Sequence, residues 1–415
     1  MIHVDCARKI DYWFGAPLCF LLTIVARLEE FFFLRHPPAP RPVRKILFIE
    51  LSEMGSAILA YSSMSKAREL YPDAQLFFLV FESNVQSARI TGVVPCENIL
   101  TIRNKNIFLF ISDALLRLWQ LASLRIDVAV DFELFSRVTA ILAFLSGARV
   151  RVGFSNFSAE GLYRGNLHTV KVAYNPRVHI AVNFLSLVYA LTRPEEEVPG
   201  PKIPYADFAQ PQLPRIKTDE SRIQALWSKL RKHNSALSFG DTLIVVNPGS
   251  SVLLPLRKWP IERYAELVRK LQQASPVYIV VTGLKDDFDY VQRGLIDKVR
   301  RERCINLAGE TTLEELVDLF SVARLFISHD SGAIHFAALT AIPMVVLFGP
   351  ETPVLYAPLS DNCTILSKGL ACSPCVSAFN HRRSLCKDNK CMQEISVEEV
   401  FMQAKKYLIY ISPTS

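Results

Sequence analysis

Short apolar runs, each closing in a turn of small residues that opens a helix, occur in two separate series along this chain, and that alternation admits few folds. The first series starts at residues 45–51 (KILFIEL), turns through Ser52-Glu53-Met54-Gly55-Ser56 and enters a helix over 57–71. Further strands are expected near 76–81, 126–131 and 149–153, with helices near 83–89, 107–124 and 136–146. The second series starts at 242–247 (TLIVVN) and continues with strands at 277–282, 325–328 and 344–348. Its helices are expected over 259–274, 312–322 and from Gly332 through Thr340. Pro260 suits a first helical turn, and Thr311/Thr312 with Glu314/Glu315 suit a cap. Strands alternating with helices imply a parallel sheet covered on both faces.

Between the series, residues 194–214 carry six prolines and the acidic run Glu195-Glu196-Glu197, which reads as a linker. With 415 residues the chain exceeds one ordinary core. The expectation is an α/β protein of two doubly wound Rossmann-like domains, 45–193 and 215–395, facing across a cleft. A C-terminal helix within 396–415 is expected to cross the junction. Ligands of such sheets sit beyond the C-terminal strand ends.

Residues 1–44 stand apart. Tyr12 to Ala26 is almost wholly apolar and is flanked by Arg8, Lys9 and Arg27. At fifteen residues it is shorter than the roughly 20 needed to span a bilayer as a helix. Gly15-Ala16-Pro17 interrupts the run and no small-x-small cleavage site follows it, which argues against a signal peptide. The segment reads as an interfacial or re-entrant anchor, with a core helix covering the first domain as the alternative. Residues 35–44 hold four prolines and read as a stiff spacer, so removal of 1–40 is expected to leave a folded domain.

No P-loop and no dinucleotide-type glycine fingerprint is present, which argues against kinase, ATPase and simple dehydrogenase chemistry. The net charge of +7 suits nucleotide diphosphates, phosphorylated glycans or a membrane surface. No basic helix or exposed aromatic run argues for nucleic acid. Nine cysteines, an odd number, point to a reducing compartment.

Four motifs end strands of the second series. Ser328-His329-Asp330-Ser331-Gly332 passes from strand to helix, where free amides and close approach at Gly332 suit a phosphate; His335 lies four residues after Ser331. Asn247-Pro248-Gly249-Ser250-Ser251 ends the first strand. Lys258, in Arg257-Lys258-Trp259-Pro260, is suited to neutralise a diphosphate leaving group. Thr282-Gly283 leads to Lys285-Asp286-Asp287, and Asp286 is the carboxylate assigned to ribose hydroxyls.

Together these motifs resemble glycosyltransferase family 9, the lipopolysaccharide heptosyltransferases. The resemblance extends through Ala337, Ala338, Pro343 and Phe348-Gly349-Pro350-Glu351-Thr352. It implies a GT-B fold and an inverting transfer of a sugar, heptose from ADP-heptose, onto a lipopolysaccharide-core glycolipid. The N-terminal segment is expected to hold the enzyme on the cytoplasmic face of the inner membrane, and the reducing compartment read from the cysteines agrees with it. No cofactor is needed, since backbone amides and Lys258 take the leaving-group charge. The implied donor site is Asn247, Ser250, Ser251, Lys258, Thr282, Gly283, Asp286, Asp330, Ser331, Gly332 and His335. The family carries a glycine–aspartate pair after the first strand, its aspartate serving as general base; here the pair is Gly55-Ser56. Glu53 is the expected replacement, with Glu50 as the other carboxylate at hand. A non-catalytic sugar-nucleotide-binding or membrane scaffold, and an epimerase of the same architecture, are the rival readings. Ser56, Arg137 and Arg151 are assigned to the anionic acceptor, because residues 137–177 carry six Lys/Arg against Glu160 alone. Cys372, Cys375, Cys386 and Cys391 have spacings that suit a structural zinc, with reduced or paired cysteines as the alternative.

Overall fold

The structure is a computed structural model; it describes residues 4–35, 42–134, 136–155, 162–193, 198–249, 254–377, 380 and 382–408. The chain divides into two compact units, Met1–Leu213 and Pro214–Ser415. The 35–44 spacer and the acidic run of the linker lie largely outside the described residues.

Unit 1 holds β1 (Lys45–Ile49), β2 (Gln75–Phe81), β3 (Ile99–Ile102), β4 (Val128–Asp131), β5 (Val150–Phe154) and β6 (Val170–Val172). Unit 2 holds β7 (Leu243–Asn247), β8 (Tyr278–Val281), β9 (Cys304–Asn306), β10 (Leu325–His329), β11 (Met344–Leu347) and β12 (Cys363–Leu366). The sheet orders are β3-β2-β1-β4-β5-β6 and β12-β11-β10-β7-β8-β9, parallel throughout. Each is the doubly wound arrangement. The order reverses between β1 and β4 in one unit and between β7 and β10 in the other, so helices leave on opposite faces and a crevice opens beyond the strand ends. The inner strands β4, β7, β10 and β11 are buried along their whole length. The edge strands β3, β6, β9 and β12 did not announce themselves in sequence: each has three or four residues, and β3, β6 and β12 are only partly buried.

The N-terminal segment is continuous helix: α1 (Val4–Ile10), a π-helical turn over Asp11–Gly15, and α2 (Ala16–Arg35). Pro17 cannot donate a hydrogen bond and crowds the carbonyl four residues back; the wide turn just before it relieves both. One face docks on unit 1. Cys19 and Ala26 pack with Ala140, Ile141, Phe144 and Leu167. The carboxylate of Asp11 meets Arg137 Nη1 at 2.7 Å, both side chains being nearly buried, and accepts the Arg137 amide at 2.8 Å. This corrects the expectation that residues 1–40 can be removed cleanly, because the helix covers apolar core and a buried guanidinium.

Three further helices of unit 1 matter below: α3 (Met54–Leu59), α4 (Ile107–Leu124) and α5 (Val138–Leu145). In unit 2 they are α6 (Ile261–Ala274), α7 (Gly332–Ala337) and the C-terminal α8 (Val397–Leu408). The helix expected to cross the junction is α8. Its buried face, Val400, Ala404 and Leu408, shares the core of unit 2 with Tyr264, Leu267 and Leu271 of α6.

Asp11→Ala leaves the Arg137 guanidinium buried without its carboxylate, a loss on the order of 3–5 kcal/mol. Hydrogen exchange over residues 4–29 is expected to rise while β1, β2 and β4 stay protected. Unchanged exchange in that variant would mean that the packing of Cys19 and Ala26 alone holds the helix.

Candidate active site

In unit 2 the strand-order reversal brings the ends of β7 and β10 side by side. The Ser328 hydroxyl donates to the Asn247 carbonyl at 3.2 Å and lies 3.2 Å from Ser331 Oγ, tying the two loops together. Ser331 is the N-cap of α7, and its side chain makes no capping bond. A Cβ built on Gly332 meets nothing within 4 Å, so the space beside the first amides is open. The helix spans six residues, shorter than the 332–340 expected, so its dipole is slight and an anion here depends on local amides and cations. Ser250 and Ser251 lie outside the described residues.

Lys258 supplies a cation beside the β8 loop. Its Nζ lies 3.9 Å from Asp287 Oδ1 and 4.7 Å from the Tyr290 ring centroid. Asp287 Oδ2 accepts the Leu284 amide at 3.0 Å. A Cβ on Gly249 would stand 2.3 Å from that oxygen, and one on Gly283 would stand 3.3 Å from it. The Asp287 carboxylate thus fills the gap between the β7 and β8 loops, and glycine at 249 is what admits it. Of the two adjacent carboxylates, Asp286, assigned to the ribose, is exposed, and Asp287 is the inward one. Thr282 is buried behind it.

Asp330 is buried, with Oδ2 2.9 Å from Arg257 Nε. Arg257 Nη2 also reaches Glu351 Oε2 at 3.4 Å, and Arg382 Nε stands 3.9 Å from the same oxygen. Burial raises the Asp330 carboxyl against the pull of Arg257. Burial pushes Glu351 up to about 8, Arg257 opposing and Asp330 adding to the rise. The Asp330 carboxylate, expected at the donor, holds Arg257, which brings Glu351 and Arg382 into the same cluster. All but Arg382 stood in the quoted motifs, where spacing alone gave no hint of their pairing. His335 is buried in α7. His329 ends β10 fully buried, Nδ1 3.0 Å from the Tyr264 hydroxyl. Burial pushes its imidazole down to about 3, with Arg257 and Lys258 adding to the fall. Trp259, next to Lys258, is anchored by its Nε1 donating to the Ile395 carbonyl at 3.0 Å.

In unit 1 the matching reversal gathers three carboxylates. The Glu53 amide donates to Glu50 Oε1 at 3.4 Å, and the Ser56 hydroxyl donates to Glu53 Oε2 at 3.3 Å. The Ser52 hydroxyl donates to Glu133 Oε2. Glu50 and Glu133 are buried, whereas Glu53 is half-buried at the N-cap of α3. Glu133 was missed in sequence, although Asp131-Phe132-Glu133 closes the strand across the reversal from Glu50. Beneath it Asp131 Oδ2 accepts the Thr139 hydroxyl and lies 3.1 Å from His168 Nε2. Burial lowers the His168 imidazole, Asp131 opposing.

Two residues assigned to the acceptor are engaged within unit 1. Arg137 is held by Asp11 and donates from Nε to the Tyr163 carbonyl. Arg151 is buried, donates to the Leu167 and Ala148 carbonyls at 2.7 Å each, and stacks over Phe144. Both guanidiniums hold the fold. Cys372, Cys375, Cys386 and Cys391 are free thiols. Among the described residues no group of three or more His, Cys, Asp or Glu side chains is placed to hold a metal ion.

The sheet orders make each unit a doubly wound α/β domain with a loop cluster at its strand-order reversal. The model of glycosyltransferase family 9 (heptosyltransferase) matches residues 120–384, and the chain belongs to that family. Lipooligosaccharide heptosyltransferase 2 of Haemophilus influenzae is 34% identical over 166 residues, 40% of this chain and 47% of that protein. The chain thus spans about half the length of that relative. The Haemophilus ducreyi protein of the same name is 26% identical over 332 residues, 78% of this chain and 88% of the relative. Escherichia coli ADP-heptose LPS heptosyltransferase II superposes with a TM-score of 0.67 at 21% identity, covering 88% of this chain and 98% of that one. A family 9 glycosyltransferase from Veillonella parvula gives 0.67 at 19%, covering 89% and 99%. At these identities the two structures establish the shared GT-B fold.

Because His329 stays neutral in the folded state down to about pH 3, the unfolded chain takes up its proton first, near 6.5. Its contribution is present above 6.5 and is lost as pH falls towards 3, by up to about 1.4 kcal/mol per pH unit. His329→Asn is expected to flatten the fall of urea-unfolding stability with pH across that window, relative to wild type. An unchanged slope would show that His329 titrates alike in both states.

Proposed function

We propose that the chain is an inverting heptosyltransferase that moves heptose from ADP-heptose onto an anionic lipopolysaccharide-core glycolipid. The carrying observation is the β7/β10 reversal, where an open glycine heads α7 and the loops after β7 and β8 carry the paired Lys258 and Asp287. Family membership and the names of the relatives support the sugar and the acceptor. In this reading the unit 2 loops hold the diphosphate and Lys258 takes up its growing charge. The acceptor hydroxyl attacks the anomeric carbon, the bond to the diphosphate breaks, and the hydroxyl proton passes to a unit 1 carboxylate. Glu53 is that carboxylate: it is the least buried of the three and already accepts the hydroxyl of Ser56, the residue standing where the family has its aspartate. The enzyme works at the cytoplasmic face of the inner membrane, with α1 and α2 resting on it. Exposed Tyr12, Trp13 and Phe14 on their outer side support that placement.

Donor binding is tested by thermal shift with ADP-heptose, since a bound ligand stabilises the fold by mass action. Gly332→Val is accommodated by the fold, as its Cβ meets open space, yet it is expected to abolish the shift. Lys258→Ala is expected to weaken it. A full shift in both variants would remove the donor from this site. Glu53→Gln is expected to lower kcat by about 100- to 10,000-fold while the ADP-heptose shift persists. If Glu50→Gln loses turnover instead, Glu50 is the base. If neither loses it and Ser56→Asp raises the rate, the scaffold reading gains.

A further inference from the structure

Helix α4 has its polarity inverted for a helix in contact with water. Its two charged side chains turn towards the sheet edge: Asp113 accepts from Arg103 at 2.6 Å, and Arg117 donates to the Thr101 carbonyl at 2.9 Å. Its outward stripe is Phe108, Ile111, Leu115, Leu116 and Trp119, of which Phe108, Leu115 and Trp119 are 81%, 63% and 72% exposed. The spacing is that of one helical face. The opposite side is spent on the core, where Phe110, Ala114, Leu118 and Leu121 pack with β1–β4. At 18 residues α4 is long and apolar enough to cross a membrane, but that packing holds it flat against the sheet.

The stripe does not stand alone. Helix α5 lies between α4 and α2: Val138, Leu142 and Ala143 join the core beneath α4, while Ala140, Ile141 and Phe144 pack with Cys19 and Ala26 of α2. Leu145 of α5 is exposed between them. On α2 the outward side chains include Phe20, Leu21, Ile24 and Leu28. Three neighbouring helices of one unit therefore share an apolar exterior. Exposed Lys9, Arg27, Arg125 and Arg149 rim it, against Glu29 of α2. Aromatic rings stand towards the ends of both long helices: Tyr12, Trp13 and Phe14, Phe31 and Phe32, Phe108 and Trp119. Contiguous apolar area of this kind marks an interaction surface, and a basic rim with terminal aromatics is what a lipid–water interface selects.

We propose that α4 is a second membrane contact, and that α2, α5 and α4 together seat unit 1 on an anionic bilayer as one flat face. The inference rests on the membrane attachment proposed for α1 and α2 and extends it to a surface formed only in the folded unit. The occupant is lipid rather than a second copy, because both long helices carry the length, apolar composition and aromatic ends that a bilayer interface matches.

The test uses the full chain and sedimentation with phosphatidylcholine vesicles, with and without phosphatidylglycerol. The triple variant Phe108→Ser/Leu115→Ser/Trp119→Ser changes only exposed side chains and is expected to keep the wild-type melting midpoint. Its partitioning onto phosphatidylglycerol vesicles is expected to fall by at least about tenfold. Wild-type binding by that triple overturns the proposal. Should the triple melt early, brominated phosphatidylcholine mixed with phosphatidylglycerol decides: the wild type must be quenched more than Trp119→Phe, and equal quenching overturns the proposal. A parallel triple, Tyr12→Ser/Trp13→Ser/Phe20→Ser, separates the two readings. If it alone loses binding, α2 is the anchor and α4 is not. If both triples bind like wild type, the attachment reading falls as well. A solution dimer that the α4 triple converts to monomer assigns the face to a second copy and overturns the proposal.

Discussion

A parallel strand cannot reach its neighbour through a tight turn; each pairing needs a crossover, and each crossover helix must bury a face of the sheet. In this protein the first strand of each unit pairs on one side with the second and on the other with the fourth. That single fact sends helices to opposite faces and parts the loops beyond Ile49 and Asp131 in one unit, and beyond Asn247 and His329 in the other. The residues with chemistry to offer stand at those four strand ends. Glu50, Glu53 and Glu133 gather at the first pair, and Asn247, Ser328 and Ser331 meet at the second, with Gly249 beside Asp287 of the next loop.

Around the second pair the loops are held by charge as well as by strands. Arg257 joins Asp330 and Glu351, and Asp287 sits between Gly249 and Gly283 with Lys258 beside it. Groups buried this deeply are expensive unless they are paired, and here the pairs fix loops that leave four different strands. His329, kept neutral by burial and by the neighbouring cations, ties β10 to α6 through Tyr264. A site that receives a diphosphate gains from cations whose positions are set before the ligand arrives.

The N-terminal helix has two unlike sides. Asp11, Cys19 and Ala26 belong to the interior of unit 1, while Trp13, Phe20 and Leu28 face outwards. Anchor and core helix were set against each other as alternatives in the sequence; the inward side packs on unit 1, and the outward side is the one on which the proposed membrane attachment rests.

The amino-acid sequence by itself determined the fold class, because the inner strands are buried on both faces and must read as unbroken apolar runs. KILFI, VAVD, LIVVN and MVVL could be read for that reason. The edge strands β3, β6, β9 and β12 could not, since a strand with one free side is short and needs no continuous run. The sequence likewise carried the four strand-end motifs, in which small residues mark where a backbone must let something close. Tertiary structure alone decided which member of a motif faces inwards. Asp286 and Asp287 are adjacent, and only the 3₁₀ turn at Lys285–Asp287 sends the second towards Gly249. Arg137 and Arg151 read as surface charge because their partners are distant in the chain: Asp11 lies 126 residues before the first, and the Leu167 carbonyl 16 residues after the second. A charge's partner is a matter of distance in space, and linear spacing reports that only within one helix or one turn.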